Sequence, residues 1–330
     1  MARHLAPQRI TSEDLHEASE FFNALYEDRD DELRINGANL RFVDPLGLCL
    51  LRHHLGLLSA AGAQIHLENL SPANAAYLER MDFFDGLENV HCQNRPADNR
   101  RNALGHSLVE LHQIRNSHDV DPAAGRIAAA VVGVSRAPAE PDPDGMHASP
   151  ADRMHSALQY VFSELLNNSA FHGRARGFTA AEIWVAAQYY RRTGRVHLAI
   201  LDNGCGFLLS LRDHSALREQ THQAAIEAAL RPRVSCNRDL ARGLDSGNQG
   251  IGLTASHAIA LASAGTVDII SGDAWLRSTA DGQNYDELAR QWQGVGVSLQ
   301  MSRELLQDVV IGDIIGNIAP LREVRDFQFE

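Results

Sequence analysis

The sequence has few cysteines and lacks several features that would place it in a familiar class of protein. Its four cysteines include no C-x-x-C pair, which argues against a disulfide framework and against a zinc site. It has neither a run of about 18 apolar residues nor an N-terminus like a signal peptide, so no membrane span is expected. A P-loop and an early G-x-G-x-x-G motif are also missing. These absences predict a soluble protein of the reducing cytoplasm.

Positive charge is also scarce. The chain has 30 Lys and Arg residues against 42 Asp and Glu residues, and its formal net charge is -12. Non-specific nucleic-acid binding needs a basic surface, so no nucleic-acid partner is expected. Arg191, Arg192 and Arg195 do cluster, but they surround Gly194 in a predicted hairpin turn. We expect these arginines to be solvated.

The length and composition predict a packed core and about two domains. The chain has 330 residues, of which 44% are hydrophobic. Residues 135–150 contain four prolines together with Asp, Gly and Ser, which is typical of a loop or linker. We predict one domain over residues 1–100 and a second over residues 101–330, both of the α/β class.

The first predicted domain alternates helices and strands. Apolar spacing and capping residues predict a helix over residues 12–27, a strand over Leu40–Val43, a helix over Leu48–Ala60, a strand over Gln64–Glu68, and a helix from Ser71 to about Met81. This order, over about residues 33–90, resembles STAS domains, which occur in anti-sigma factor antagonists and sulfate transporters. Regulatory members carry a phosphorylatable serine at the turn that matches residues 44–47. Here that turn is Asp-Pro-Leu-Gly, so the resemblance implies docking without a phosphoryl switch.

A carboxylate and an amide share one face of an otherwise apolar predicted helix in the second domain. Glu164 and Asn168 are four residues apart, so their side chains point to the same side. An amide oxygen is a ligand that Mg²⁺ accepts, and a carboxylate can act as a general base. The alternative for this motif alone is the polar edge of an amphipathic helix. Asn167 would be the metal ligand if the register were shifted by one.

Two glycine-containing motifs follow this helix. The first, Asp202-Asn-Gly204-Cys-Gly206, comes at the end of a predicted strand over residues 196–202; alone it would be a simple turn. The second, Gly250-Ile-Gly252-Leu253, opens a predicted helix, where free backbone N–H groups bind phosphate well. A final strand is predicted over residues 294–301.

The three motifs, in this order, resemble the nucleotide-binding boxes of the GHKL ATPases, which include gyrase, histidine kinases, MutL and the anti-sigma serine kinases. The resemblance covers about residues 150–302. It implies an α/β sandwich in which helices cover one face of a mixed sheet, with a lid over residues 208–246. It also implies that ATP and Mg²⁺ are bound. Asp202 would contact adenine, Asn168 would hold the metal, and Glu164 would be the catalytic base. The other residues implied to bind nucleotide are Gly204, Gly206, Gly250, Ile251, Gly252, Leu253 and His172.

The chain departs from this family in the last strand and leaves its lid contacts open. The family has a threonine after the glycine of this strand, where Val295 and Val297 provide no hydroxyl. One of the lid arginines is expected to reach the γ-phosphate, and the sequence does not choose among them: Arg231, Arg233, Arg238 and Arg242.

Several functions remain open at this point. The interpretation we favour is a regulatory protein that binds Mg-ATP, hydrolyses it slowly and signals to a protein partner through the STAS-like domain or the lid. A serine kinase of the anti-sigma type and a non-hydrolysing ATP-binding module are the alternatives, and a homodimer is left open. A histidine kinase is less well supported, because the His16-Glu17 pair has no proline after it in its helix.

Overall fold

The structure is a computed structural model that describes residues 2–27, 31–97, 104–134, 140–141, 147–232, 234 and 251–318. These residues form an α/β fold with one parallel and one antiparallel main sheet. In this part of the chain, no helix has both the length and the apolar character needed to cross a bilayer.

The described residues contain ten α-helices and thirteen strands. The helices are α1 (Leu15–Glu27), α2 (Pro45–Ala60), α3 (Pro72–Arg80), α4 (Val120–Val132), α5 (Pro150–His172), α6 (Gly206–Ser210), α7 (His222–Ala229), α8 (Gly252–Ala262), α9 (Arg303–Leu306) and α10 (Ile311–Ile318). The strands are β1 (Ala2–Leu5), β2 (Arg9–Ile10), β3 (Glu32–Asn36), β4 (Phe42–Val43), β5 (Gln64–Glu68), β6 (Val90–Cys92), β7 (Leu108–Gln113), β8 (Glu140–Pro141), β9 (His147–Ala148), β10 (Ile183–Tyr190), β11 (Arg195–Asp202), β12 (Thr266–Thr279) and β13 (Gly282–Ser302).

The N-terminal segment is built on a four-stranded parallel sheet in the order β1-β3-β5-β6. Its strand β5 and helices α1, α2 and α3 match the predicted elements within a few residues. Strands β1, β3 and β6 were not predicted, and the strand expected at residues 40–43 is the short β4, which pairs with β2 instead of joining the sheet. Asp44 caps α2 by accepting a 2.8 Å hydrogen bond from the Gly47 N–H, and Pro45 takes the first helical position.

The second sheet has the order β12-β13-β11-β10-β7, and every neighbouring pair is antiparallel. The expectation of a mixed sheet is therefore wrong for these strands. The reason is the connection between β7 and β10, which contains two packed helices, α4 and α5. With two helices in the connection, the chain returns to the same end of the sheet at which β7 finished. Strand β10 therefore starts at that end and runs antiparallel to β7.

Helices cover both faces of this antiparallel sheet, whereas we expected one covered face. On one face, α4, α5 and α8 pack on residues such as Val185 and Ile200. On the other face, α1 and α2 pack on alternate residues such as Ala186 and Leu201. Because the strands are apolar on both sides, the N-terminal segment and the antiparallel sheet share one hydrophobic core. The expected domain boundary near residue 100 lies outside the described residues.

Candidate functional site

A pocket opens where α5, α6 and α8 meet the end of β11 and the part of β13 that pairs with it. It encloses about 700 Å³, counted to its open mouth. Its wall is mostly apolar and its polar side chains are few. The residues that line it are Leu165, Asn168, Ser169, Gly173, Asp202, Gly206, Phe207, Ser210, Leu211, Ala229, Val234, Leu253, Val295 and Val297. The pocket thus brings together parts of all three motifs that the sequence singled out.

The carboxyl group of Asp202 lies at the end of β11 and is the one acidic group among these lining residues. The side chain is 2% exposed. Its Oδ1 accepts hydrogen bonds from the backbone N–H groups of Gly204 (3.0 Å) and Val295 (3.2 Å), and the Ser169 hydroxyl also bonds to the carboxyl. Burial raises the pKa of Asp202 to about 7, although these donors oppose the shift. A carboxylate has about four acceptor sites, so at least one remains for a ligand.

The loop after Asp202 is held by close contacts between glycines. A Cβ on Gly204 would lie 2.1 Å from the Gly173 carbonyl oxygen, and the Cys205 N–H donates to that same oxygen (3.1 Å). Gly294 has a φ of +111°, and a Cβ there would lie 2.1 Å from the Asp202 carbonyl oxygen. The facing backbone carbonyl groups of Gly173 and Asp202 therefore leave no room for a side chain at Gly204 and Gly294, respectively. The packing fixes the direction of the Asp202 carboxyl.

Two side chains of β13 hold the same loop from behind the pocket. The Trp292 indole N–H donates to the Asp202 carbonyl oxygen (3.0 Å), and the Gln293 amide donates to the Gly204 carbonyl oxygen (2.8 Å). The Trp292 ring also packs edge-on against His53 and His54 of α2, with centroid distances of 4.9 and 5.7 Å. The loop is thus in contact, through Trp292, with the N-terminal segment.

Helix α5 provides the amide of the pocket. The helix begins with a reciprocal cap, in which Ser149 and Asp152 each accept a backbone N–H of the other, and with Pro150 at its first position. One face carries Leu165 and Asn168 into the pocket. Glu164 is 6% exposed and does not line the pocket; it lies one turn earlier, against the start of α8.

Helix α8 approaches α5 so closely that it requires glycine at its first residue. A Cβ on Gly252 would lie 2.8 Å from the Glu164 Cβ. Ile251 is buried before the helix, and Leu253 reaches the pocket wall. The predicted phosphate-contacting Gly250 lies outside the described residues. His172 is in the last turn of α5, and its side chain also lies outside what the structure describes.

The structure describes only part of the expected lid over residues 208–246. Residues 208–232 include α7, and Arg231 donates to the Ala216 carbonyl oxygen (3.2 Å) and does not line the pocket. The other three lid arginines lie outside the described residues. Across the described ranges, no cluster of three or more His, Cys, Asp or Glu side chains could hold a metal. The Asn168 side chain lines the pocket, and its amide oxygen is a ligand that Mg²⁺ accepts.

Sequence reasoning missed the groups that support Asp202. Ser169, Gly173 and Gly294 lie within or beside the recognised motifs, so their positions could have been used as a signal. Ser271, which accepts the Phe207 N–H and donates to the Gly294 carbonyl oxygen, had no local signal. The Val295 backbone N–H and the Ser169 hydroxyl contact Asp202.

The arrangement suits a flat, largely apolar ring that carries a hydrogen-bond donor. Leu165, Leu253, Val295 and Val297 provide apolar walls, and Asp202 provides the acceptor at the floor. An adenine base has these properties, because its exocyclic amine is a donor and its faces are apolar. Comparison of the chain with protein-family models, curated proteins and solved structures gave no match.

Proposed function

We propose that this chain is a regulatory protein that binds ATP with Mg²⁺, hydrolyses it slowly and signals its nucleotide state to a protein partner. The proposed architecture is a GHKL-type nucleotide domain preceded by a STAS-like docking domain. The buried Asp202 carboxyl in an apolar pocket is the observation that carries the proposal. Adenine can donate its amine to this group, whereas guanine has a carbonyl at the same position.

The residues of the pocket are chemically suited to ATP and Mg²⁺, the two groups that the proposed function requires. Asp202 would accept the adenine amine, and the backbone N–H groups at the start of α8 would bind phosphate. Asn168 would hold Mg²⁺ through its amide oxygen, with phosphate and water completing the shell. The ion would neutralise phosphate charge.

The first test is the choice of base. Calorimetry should show tighter binding of ATP than of GTP. Asp202→Ala should lower the affinity for ATP by about ten- to hundredfold, because a hydrogen bond to a charged group is worth roughly 1.5–3 kcal/mol. A thermal unfolding curve shows whether the variant folds. Equal affinity for the two nucleotides in the parent would contradict the proposal.

The proposed base for hydrolysis is Glu164, which lies one turn from Asn168 but outside the pocket lining, against the start of α8. Glu164→Gln keeps the size of the side chain but cannot take a proton at neutral pH. We expect this variant to retain ATP and to lose about 10²–10⁴ in rate, as measured by ADP formation in a single turnover. Equal turnover by both proteins would make Glu164 structural. If the parent formed no ADP, the protein would be an ATP-binding module that does not hydrolyse its ligand.

A further inference from the structure

A second open cleft lies at the opposite end of the antiparallel sheet from the pocket. Asp202 pairs with Ile183 at one end of the β10–β11 hairpin, and Arg195 pairs with Tyr190 at the other. A strand rises ~3.3 Å per residue, so these ends are about 23 Å apart. The cleft encloses about 1750 Å³, counted to its mouth, and its described lining residues are all different from those of the pocket.

Five arginines from separate parts of the chain line this cleft, which we name the basic cleft: Arg9, Arg41, Arg191, Arg192 and Arg195. Their only acidic neighbour among the described lining residues is Glu13, so this lining has a formal charge of +4. The whole chain carries -12. The sequence favoured a solvated turn, because Arg9 and Arg41 lie about 180 and about 150 residues before the hairpin and join it through the fold.

Three of these arginines are available to a ligand. Arg9 forms ion pairs with Glu13 and Asp14, at 2.9 and 3.0 Å, and Arg195 donates to a backbone carbonyl oxygen. Arg41, Arg191 and Arg192 are exposed and have no ion-pair partner among the residues that the structure describes. A planar guanidinium can bind a carboxylate through two parallel hydrogen bonds.

The floor of the basic cleft is aromatic and uncharged. The rings of Phe42 and Tyr190 have centroids 5.6 Å apart, and Tyr190 packs edge-on against His197 at 4.6 Å. Burial, together with the nearby Arg195, lowers the pKa of His197 to about 4, so its ring is neutral at pH 7. Apolar stems of a bound chain can pack on this floor while charged groups reach the arginines.

We propose that the basic cleft binds an acidic segment of a protein partner, in which several Glu or Asp side chains pair with Arg41, Arg191 and Arg192. The cleft is more than twice the volume of the pocket, so a single small anion would fill little of it. A nucleic acid fits less well, because its long, evenly charged phosphate backbone would extend beyond the cleft along a protein of net charge -12, whereas a short acidic segment stays within the cleft. This proposal is independent of nucleotide binding.

The test uses fluorescence anisotropy with a labelled 12-residue Glu/Asp-rich peptide and the full chain. The double variant Arg191→Glu/Arg192→Glu should weaken binding by roughly tenfold or more, because it replaces two attractions by repulsions. Arg41→Glu should also weaken binding of the peptide. The matched control Arg3→Glu/Arg126→Glu makes the same change in net charge at exposed arginines outside the cleft, and it should bind like the parent.

Other outcomes overturn the proposal. A Gln/Asn-rich peptide that binds as tightly as the acidic one would show that charge does not select the ligand. A single-stranded RNA of the same charge that binds more tightly would assign the cleft to nucleic acid. If both double variants weakened peptide binding equally, the effect would be one of net charge and not of the cleft. If the acidic peptide did not bind the parent at low salt, the cleft would not be a binding site for acidic segments.

Discussion

The Asp202 carboxyl titrates near neutral pH because burial opposes its ionisation. Its pKa is raised to about 7, and its ionised form is the better acceptor for an adenine amine. We therefore expect the affinity for adenosine to rise as the pH increases from about 6 to about 8 and then to level off. Adenosine is the suitable probe, since it has no phosphate that titrates in this range. Calorimetry at constant ionic strength measures the profile, and Asp202→Asn should flatten it; a flat profile in the parent would contradict the assignment.

Asn168 and Asn167 form a matched pair for testing the metal ligand. Both are half-buried neighbours on α5, but only Asn168 lines the pocket. Asn168→Ala should weaken ATP binding in Mg²⁺ and change it much less in EDTA, because the lost amide oxygen would be a metal ligand. Calorimetry in the two buffers gives the comparison. A Mg²⁺-dependent defect in Asn167→Ala, but not in Asn168→Ala, would mean that the register is shifted by one.

Single site residues were predictable where the signal is local. Asp202 is at the end of a strand of clear apolar character, and Asn168 lies at a helical spacing from Leu165 and Glu164. Both residues line the same pocket, and their roles in binding stay predictions. The role of Ser271 was not predictable, because its two hydrogen bonds join parts of the chain that are 23 and 64 residues away.

Among the structural elements, the loop between β11 and α6 tolerates little added volume. Gly204→Ala would place a methyl group 2.1 Å from the Gly173 carbonyl oxygen, so the backbone must shift. We expect a loss of about 1–3 kcal/mol of unfolding free energy, measured by urea denaturation. The matched control is Gly105→Ala in a loop where a Cβ meets nothing within 4 Å, with an expected change within about 0.5 kcal/mol. Equal stability of the two variants would show that the glycine contact is not tight.

Elements with a strong local pattern were predicted well, and those fixed by distant pairing were not. Helices α2, α3, α5 and α8 have clear caps or apolar faces. Strand β12 pairs with β13 in a long hairpin. The first half of β13 is largely exposed and β12 is buried along most of its length, so neither sequence has the alternation that marks a half-buried strand. Strands β1, β3 and β6 are short and gain their stability from parallel neighbours far along the chain.

At the scale of the whole molecule, two buried carboxyl groups lie where the N-terminal segment meets the antiparallel sheet. Asp268 of β12 is fully buried and accepts a 3.1 Å hydrogen bond from the Trp275 indole. Asp44 accepts the Ser12 N–H at 2.9 Å. Burial raises the pKa of Asp268 to about 7 and that of Asp44 to about 6, and the Arg277 guanidinium 3.6 Å from Asp268 offsets its shift only in part.

These two groups make the folded protein hold protons more tightly than the unfolded chain does. Their contribution to stability is therefore full below the ordinary aspartate pKa of 3.8 and falls as the pH rises to about 7. Asp268→Asn should flatten this fall and raise the unfolding free energy at about pH 8 by on the order of 1 kcal/mol or more. Urea denaturation at about pH 5 and pH 8 measures it. The exposed Asp281→Asn is the control, and an Asp268→Asn protein less stable than the parent at pH 8 would contradict the prediction.

The shared core was the least predictable feature of the whole molecule. Strand β10 begins Ile-Trp-Val-Ala-Ala, and all five residues are buried, which shows that both faces of the strand are covered. A continuous apolar run indicates burial on two sides but does not identify the second cover. That cover is formed by α1 and α2, from a segment that sequence patterns suggested to be a separate domain.

Trp292 gives the protein an intrinsic optical reporter. Its indole is bonded to the backbone of Asp202 and lies edge-on to two histidines of α2, and it is 6% exposed. Emission from a buried indole depends on its hydrogen bond and on nearby rings. A ligand that moves the loop, or a partner that moves α2, would therefore alter the fluorescence of the same chromophore without any label.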